Sequence, residues 1–180
     1  MSDRAGTGER YDRDEPGGEA ACLAAQLDPP SDLSPGMAAA LVADLADAVV
    51  VADPDGRIVY WNAAATRLFG FAADEALGAT LDLIIPERLR ERHWTGYRQT
   101  MATGLTSYGG RLLEVPAVHR DGRAMSIAFT VTLLFAPGTR IPTGIAAVIR
   151  DDTERWQERR RLRAELAALR SELGRTDPAP

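Results

Sequence analysis

The apolar positions change their period along the chain. Met37, Leu41, Leu45 and Val49 recur at helical spacing behind Ser34 and Pro35, a cap and a first turn, so a helix is expected from Pro35 to about Ala48. Two β-branched and aromatic runs follow, 49–52 and 57–61, joined by Asp53-Pro54-Asp55-Gly56, the signal of a hairpin. Asn62 is placed to cap a short helix over 63–69 that Gly70 ends, and a further helical turn over 74–77 stops at Gly78. After a short apolar stretch at 81–85, a longer helix is expected from Pro86 to Thr103, ended by Gly104.

The second half reads as strands at 111–118, 123–134 and 143–150, with turns at Asp121-Gly122 and Pro137-Gly138. In the middle strand Ile127, Phe129, Val131 and Leu133 alternate with Ser126, Ala128, Thr130 and Thr132, which predicts one buried and one wetter face. Two strands, several helices and three strands make an α+β fold. Residues 1–35 carry Gly, Pro and charge with little apolar period and are expected to be a disordered tail, as are 175–180. The divisions expected are therefore a sensor domain at 36–152 and a helix at 153–174, between the two tails.

Composition narrows the function classes. The 180 residues are enough for one domain with a core, and 45% of them are apolar. A net charge of −5 argues against general nucleic-acid binding, which draws on a positive field. The single cysteine, Cys22, excludes an internal disulfide framework and a cysteine-rich zinc site. No signal-peptide pattern opens the chain, and the longest apolar run, 37–51, is interrupted by Asp44 and Asp47, so a cytoplasmic location and no membrane span are expected. There is no Gly-rich phosphate loop and no metal-ligand cluster, and neither histidine heads a kinase-like segment, so no enzymatic role is expected.

The ordered landmarks resemble a known family. The run VVVADPDGRIVYWNAAATRLFGF is similar to the opening hairpin and first helix of PAS domains, and AVHRDGRAMSIAFTVTLL and GIAAVIRDDTER are similar to their closing strands and exit motif. The similarity covers roughly residues 37–155. It implies a five-stranded antiparallel sheet whose concave face and flanking helices enclose a pocket. It also implies bacterial-type signal transduction by altered geometry of sheet and helix. PAS pockets take flavin, haem or a small metabolite, or none of these. With no cysteine after Met37, covalent flavin photochemistry and a thiol-linked chromophore are excluded.

The helix RLRERHWTGYRQTMATG is in turn similar to the haem-bearing helix of rhizobial oxygen-sensing PAS kinases, with the histidine at His93. Helical spacing puts Leu89, His93, Gly96, Tyr97 and Thr100 on one face, and the small residues at i+3 and i+7 from His93 leave room for a flat ligand. A neutral imidazole is a good iron ligand. The resemblance implies haem b with His93 on the iron, oxygen sensing, and a pocket of Leu89, Tyr97, Thr100, Met101, Leu113, Phe129 and Val131. Where those sensors place an arginine to hold oxygen, this chain has Leu113, with Arg111 two residues earlier; an apolar distal side favours carbon monoxide or nitric oxide. The second reading of His93 is a core or rim histidine bonded to a backbone carbonyl, with no cofactor or an unknown small molecule in the pocket. Trp61 and Trp94 are read as core and rim, and His119, beside the Asp121-Gly122 turn, as a solvent-exposed turn residue.

Beyond the last strand Leu162, Leu166, Leu169 and Leu173 recur at spacings of 4, 3 and 4, a seam of about two heptads stopped by Gly174. The first reading is a signalling helix that pairs in a homodimer as a coiled coil and addresses a separate effector such as a kinase or transcription regulator. The other reading is a helix folded back on its own domain. The seam leaves parallel and antiparallel pairing both open. Arg155, Arg159, Arg160, Arg161 and Arg163 alternate with Glu154, Glu158 and Glu165, the mixed pattern of a solvated face.

Overall fold

The computed structural model describes residues 33–106 and 110–173. The expected tails at 1–35 and 175–180 lie, apart from residues 33–35, outside these. Helices α1 (Pro35–Asp44), α2 (Ala63–Phe69), α3 (Ala73–Ala76), α4 (Glu87–Thr103) and α5 (Thr153–Leu173) accompany strands β1 (Ala48–Ala52), β2 (Ile58–Trp61), β3 (Leu113–Val118), β4 (Ala124–Phe135) and β5 (Pro142–Asp151). The strands form one antiparallel sheet in the order β2-β1-β5-β4-β3. The fold is α+β, as expected.

Asn62 organises the first half. Its Oδ1 accepts from the N–H of Ala65, capping α2, and from the N–H of Val49 in β1, both at 2.9 Å. Its amide nitrogen donates to the carbonyls of Val42 and Asp47. One buried side chain thus joins the hairpin to the helix after it and to the end of α1. Gly70 closes α2 with φ at +81°, its N–H donating to the Thr66 carbonyl. Trp61, Phe69, Ile58, Val50, Ile127 and Ile149 lead the core between the inner face of the sheet and the helices. The Trp61 and Phe69 rings lie 5.5 Å apart, and the indole N–H donates to the Thr66 hydroxyl.

Three expectations need correction. Helix α1 stops at Asp44, not near Ala48, because Ala48 pairs with Ile149 at the start of β1. The helical stripe is therefore split: Met37 and Leu41 stand exposed, while Val49 is buried in the strand. In β4 both faces are buried at the near end, since Ser126 and Ala128 are covered as well as Ile127. Thr153 explains this, because its hydroxyl accepts from the N–H of Ser126 and donates to the same residue's carbonyl, seating the root of α5 on β4. His119 is not solvent-exposed: its side chain is 15% accessible and lies over Gly70, where an added Cβ would come 2.5 Å from Nε2.

Candidate ligand-binding and relay site

Helix α4 presents Tyr97 buried and Leu89, His93, Thr100 and Met101 half-buried along one side. The Tyr97 hydroxyl donates to the carbonyl of Asp53 in the hairpin turn, so its polar tip holds helix to hairpin. Burial, with Asp53 and Asp55 nearby, pushes its phenol well above the usual range. Trp94 lies over Gly56 of the same turn, and its indole N–H donates to Asp82 at 2.8 Å. Gly56 has φ at +77°, and an added Cβ would stand 2.2 Å from the Trp94 ring, so the absence of a side chain lets the indole close on the backbone. A surface cleft of about 380 Å³ is lined by Pro54, Asp55, Thr80, Asp82, Trp94, Tyr97 and Arg98.

His93 packs against its helix neighbours, with ring centroids 5.0 Å from Trp94 and 5.7 Å from Tyr97. Its Nδ1 is buried and makes no hydrogen bond. The backbone carbonyl expected on the core-histidine reading is therefore not bonded to this nitrogen. Burial holds the imidazole below its ordinary value, with Asp82 opposing in the smaller sense, which favours the neutral ring. Gly96 does not behave as the spacing suggested. It is exposed, and a Cβ there would meet nothing within 4 Å, so the room it leaves opens to solvent and not beside the imidazole.

On the sheet Leu113 pairs opposite Phe129, and Val131 lies two residues further along the same strand face, which also carries the buried Ile127. All three site candidates are half-buried, and Phe129 packs on the core. Arg111 precedes β3 and is exposed. The structure thus groups the α4 candidates on one helix side and the strand candidates on the inner sheet face.

The root of α5 forms a second constellation. Asp152 is 3% accessible, and its Oδ2 accepts from Nη2 of Arg159. The same guanidinium nitrogen donates to Glu114 of β3 at 2.9 Å, over the outer face of the sheet where Glu114 pairs with Ala128. Further along α5, Leu162, Leu166 and Leu169 are about half exposed. Trp156 is exposed and carries the Arg160 guanidinium over its ring, at 5.4 Å. Sequence spacing located the leucines but not the Asp152–Arg159–Glu114 chain, whose members lie far apart in sequence and meet only through the sheet register.

A PAS fold family model matches residues 36–151, and the chain belongs to the PAS family. It is 33% identical over 130 residues to the sensor protein FixL of Bradyrhizobium diazoefficiens, an alignment covering 71% of this chain and 24% of that one. To the oxygen sensor protein DosP of Escherichia coli it is 27% identical over 99 residues, 55% of this chain and 12% of that one. The chain thus spans about a quarter or less of the length of these curated relatives. The structure of an RNA-binding light-oxygen-voltage receptor superposes with a TM-score of 0.62 at 28% identity, covering 77% of this chain and 38% of that one. This is a PAS sensory domain related to sensor proteins. Among the described residues no helix is long and apolar enough to cross a membrane.

Proposed function

We propose that the chain is a cytoplasmic sensor module that dimerises through α5 and passes the state of its sheet to a separate effector protein. The observation that carries this is continuity. One helix is locked at its root into β3 and β4 through Asp152, Thr153 and Arg159, and leaves three leucines uncovered further along. A shift of the sheet moves Ser126 and Glu114, and therefore the helix bonded to them. An apolar seam exposed to water is stabilised by pairing, because burying each leucine on a second helix removes apolar area from solvent. Division at 36–152 for the sensor and 153–174 for the output helix fits this use. Hydrogen exchange across α5 tests it: protection of the amides around Leu166 should fall on dilution and in Leu166→Glu/Leu169→Glu. Protection that depends on neither would mean a helix covered within its own chain.

His93 favours a second reading, a haem-based gas sensor. A buried imidazole nitrogen without a partner and a depressed basicity suit an iron ligand, and the apolar Leu113, Phe129 and Val131 of the inner sheet face would suit the lining of a haem site. His93 would hold the iron, with Leu89, Tyr97, Thr100 and Met101 beside it on α4. Haem, when bound, supplies an iron centre that takes diatomic gases. This chain's own residues would hold the iron through His93 and line the site with the apolar side chains of Leu113, Phe129 and Val131. An absorption spectrum of protein expressed with haem available decides between the readings. A Soret band that shifts on reduction and is lost in His93→Ala supports haem, and a colourless protein that refuses added haem rejects it.

A further inference from the structure

The cleft between the hairpin turn and α4 holds opposite charges that do not meet. Asp55 lines it from the turn and Arg98 from the helix, both exposed. Among the described residues, neither the Asp55 carboxylate nor the Arg98 guanidinium finds a hydrogen-bond or ion-pair partner. Asp82 lines the same cleft; its Oδ1 accepts from the Trp94 indole and stands 3.6 Å from Nε of Arg90, which leaves Oδ2 uncommitted. The two aromatic residues of the lining have already spent their donors, Trp94 on Asp82 and Tyr97 on the Asp53 carbonyl. What they offer the cleft is apolar surface. Trp94 also lies over Gly56, next to Asp55, so both carboxylates gather at its end of the cleft. Arg98 stands four residues further along α4, roughly 6 Å up the axis.

We infer that this cleft binds a short amino acid whose ammonium and carboxylate are about one helical turn apart, the ammonium at Asp55 and Asp82, the carboxylate at Arg98 and the carbon chain on Trp94. A simple amine would meet the uncompensated guanidinium, and a simple carboxylate would meet two carboxylates, so both single charges are disfavoured. A molecule carrying both charges answers each with a charge-assisted hydrogen bond. The volume, about 380 Å³, lies in the lower part of the range of small-molecule clefts, roughly 300–1,000 Å³. Such a ligand ties the turn at Asp55 to α4 at Arg98 and adds to the two bonds that already hold this helix, Tyr97 to Asp53 and Trp94 to Asp82. The site uses neither His93 nor α5, so it stands or falls apart from both readings above.

The test is a titration of the full chain at neutral pH with 4-aminobutyrate, butylamine and butyrate, three probes on one carbon skeleton with both charges or one. The indole N–H resonance of Trp94, assigned by its loss in Trp94→Phe, reports binding. It should move and saturate with 4-aminobutyrate, and respond at least roughly tenfold more weakly to either singly charged probe. Arg98→Gln removes an exposed cation without touching the core. It should weaken 4-aminobutyrate by roughly tenfold or more and abolish its advantage over butylamine. Asp55→Asn should likewise abolish the advantage over butyrate. A resonance that ignores all three probes, or that butylamine or butyrate moves as readily as 4-aminobutyrate, would overturn the assignment. So would 4-aminobutyrate binding that Arg98→Gln leaves unchanged.

Discussion

Arg159 donates to the carboxylate of Asp152, seven residues earlier, and that carboxylate is almost wholly buried where β5 gives way to α5. The pair closes the helix root over the sheet, and the second contact to Glu114 extends the closure to β3. Removing the arginine leaves a buried charge with no cation. Because Arg159 itself is a third exposed, water offsets part of the loss. Arg159→Ala should therefore cost about 1–3 kcal/mol in chemical denaturation and loosen α5 to limited proteolysis, while Glu114→Ala should cost less. Equal and negligible effects from both would show that the network does not hold the helix.

Asn62 is held by four hydrogen bonds to three separate segments. Asn62→Ala leaves the N–H groups of Val49 and Ala65 without that acceptor and should cost about 2–4 kcal/mol. Asn62→Asp keeps the acceptor and loses both donors, so it should fall between wild type and alanine. Urea melts of the three proteins check the order.

Gly56 is the backbone floor beneath Trp94. Gly56→Ala forces the indole aside and strains a left-handed backbone, at a cost of about 1–3 kcal/mol. Trp94 should then lose its bond to Asp82, read as a shift in tryptophan fluorescence against a Trp94→Phe reference. An unchanged spectrum would place the indole elsewhere.

His93 links stability to pH. Its folded value lies below the ordinary 6.5 through burial, so the unfolded chain takes the proton first as pH falls. The contribution is complete above that ordinary value and is lost as pH drops through it towards the lower folded value. His93→Leu should flatten the stability profile between about pH 7.5 and 5 relative to wild type. Parallel profiles would mean that the imidazole titrates as freely folded as unfolded.

Much of this was legible in the sequence because it depends on local chemistry. Asn62 and Gly70 bound α2 as read, Gly104 ends α4, and the turns joining the strands carry their expected glycines. What failed depended on partners distant in the chain. Helical period continued through Leu45 and Val49, yet pairing with Val148 drew Val49 into a strand. His119 read as an exposed turn residue because nothing near it in sequence shows that Gly70 leaves a recess for its ring. Gly96 read as a gap in a pocket, whereas its edge position on α4 turns it to solvent. The candidate residues themselves were findable by period, while the missing partner of His93 Nδ1 and the Arg159 tie required the packing.

The molar mass of the full chain in solution, followed by light scattering over a range of concentrations, tests the central claim most directly. The expected result is a mass twice that of one chain, falling to one chain in Leu166→Glu/Leu169→Glu with the circular dichroism of the folded domain retained. A single-chain mass at all concentrations, or a dimer indifferent to both glutamates, would contradict the assignment of α5 as the helix through which this sensor pairs.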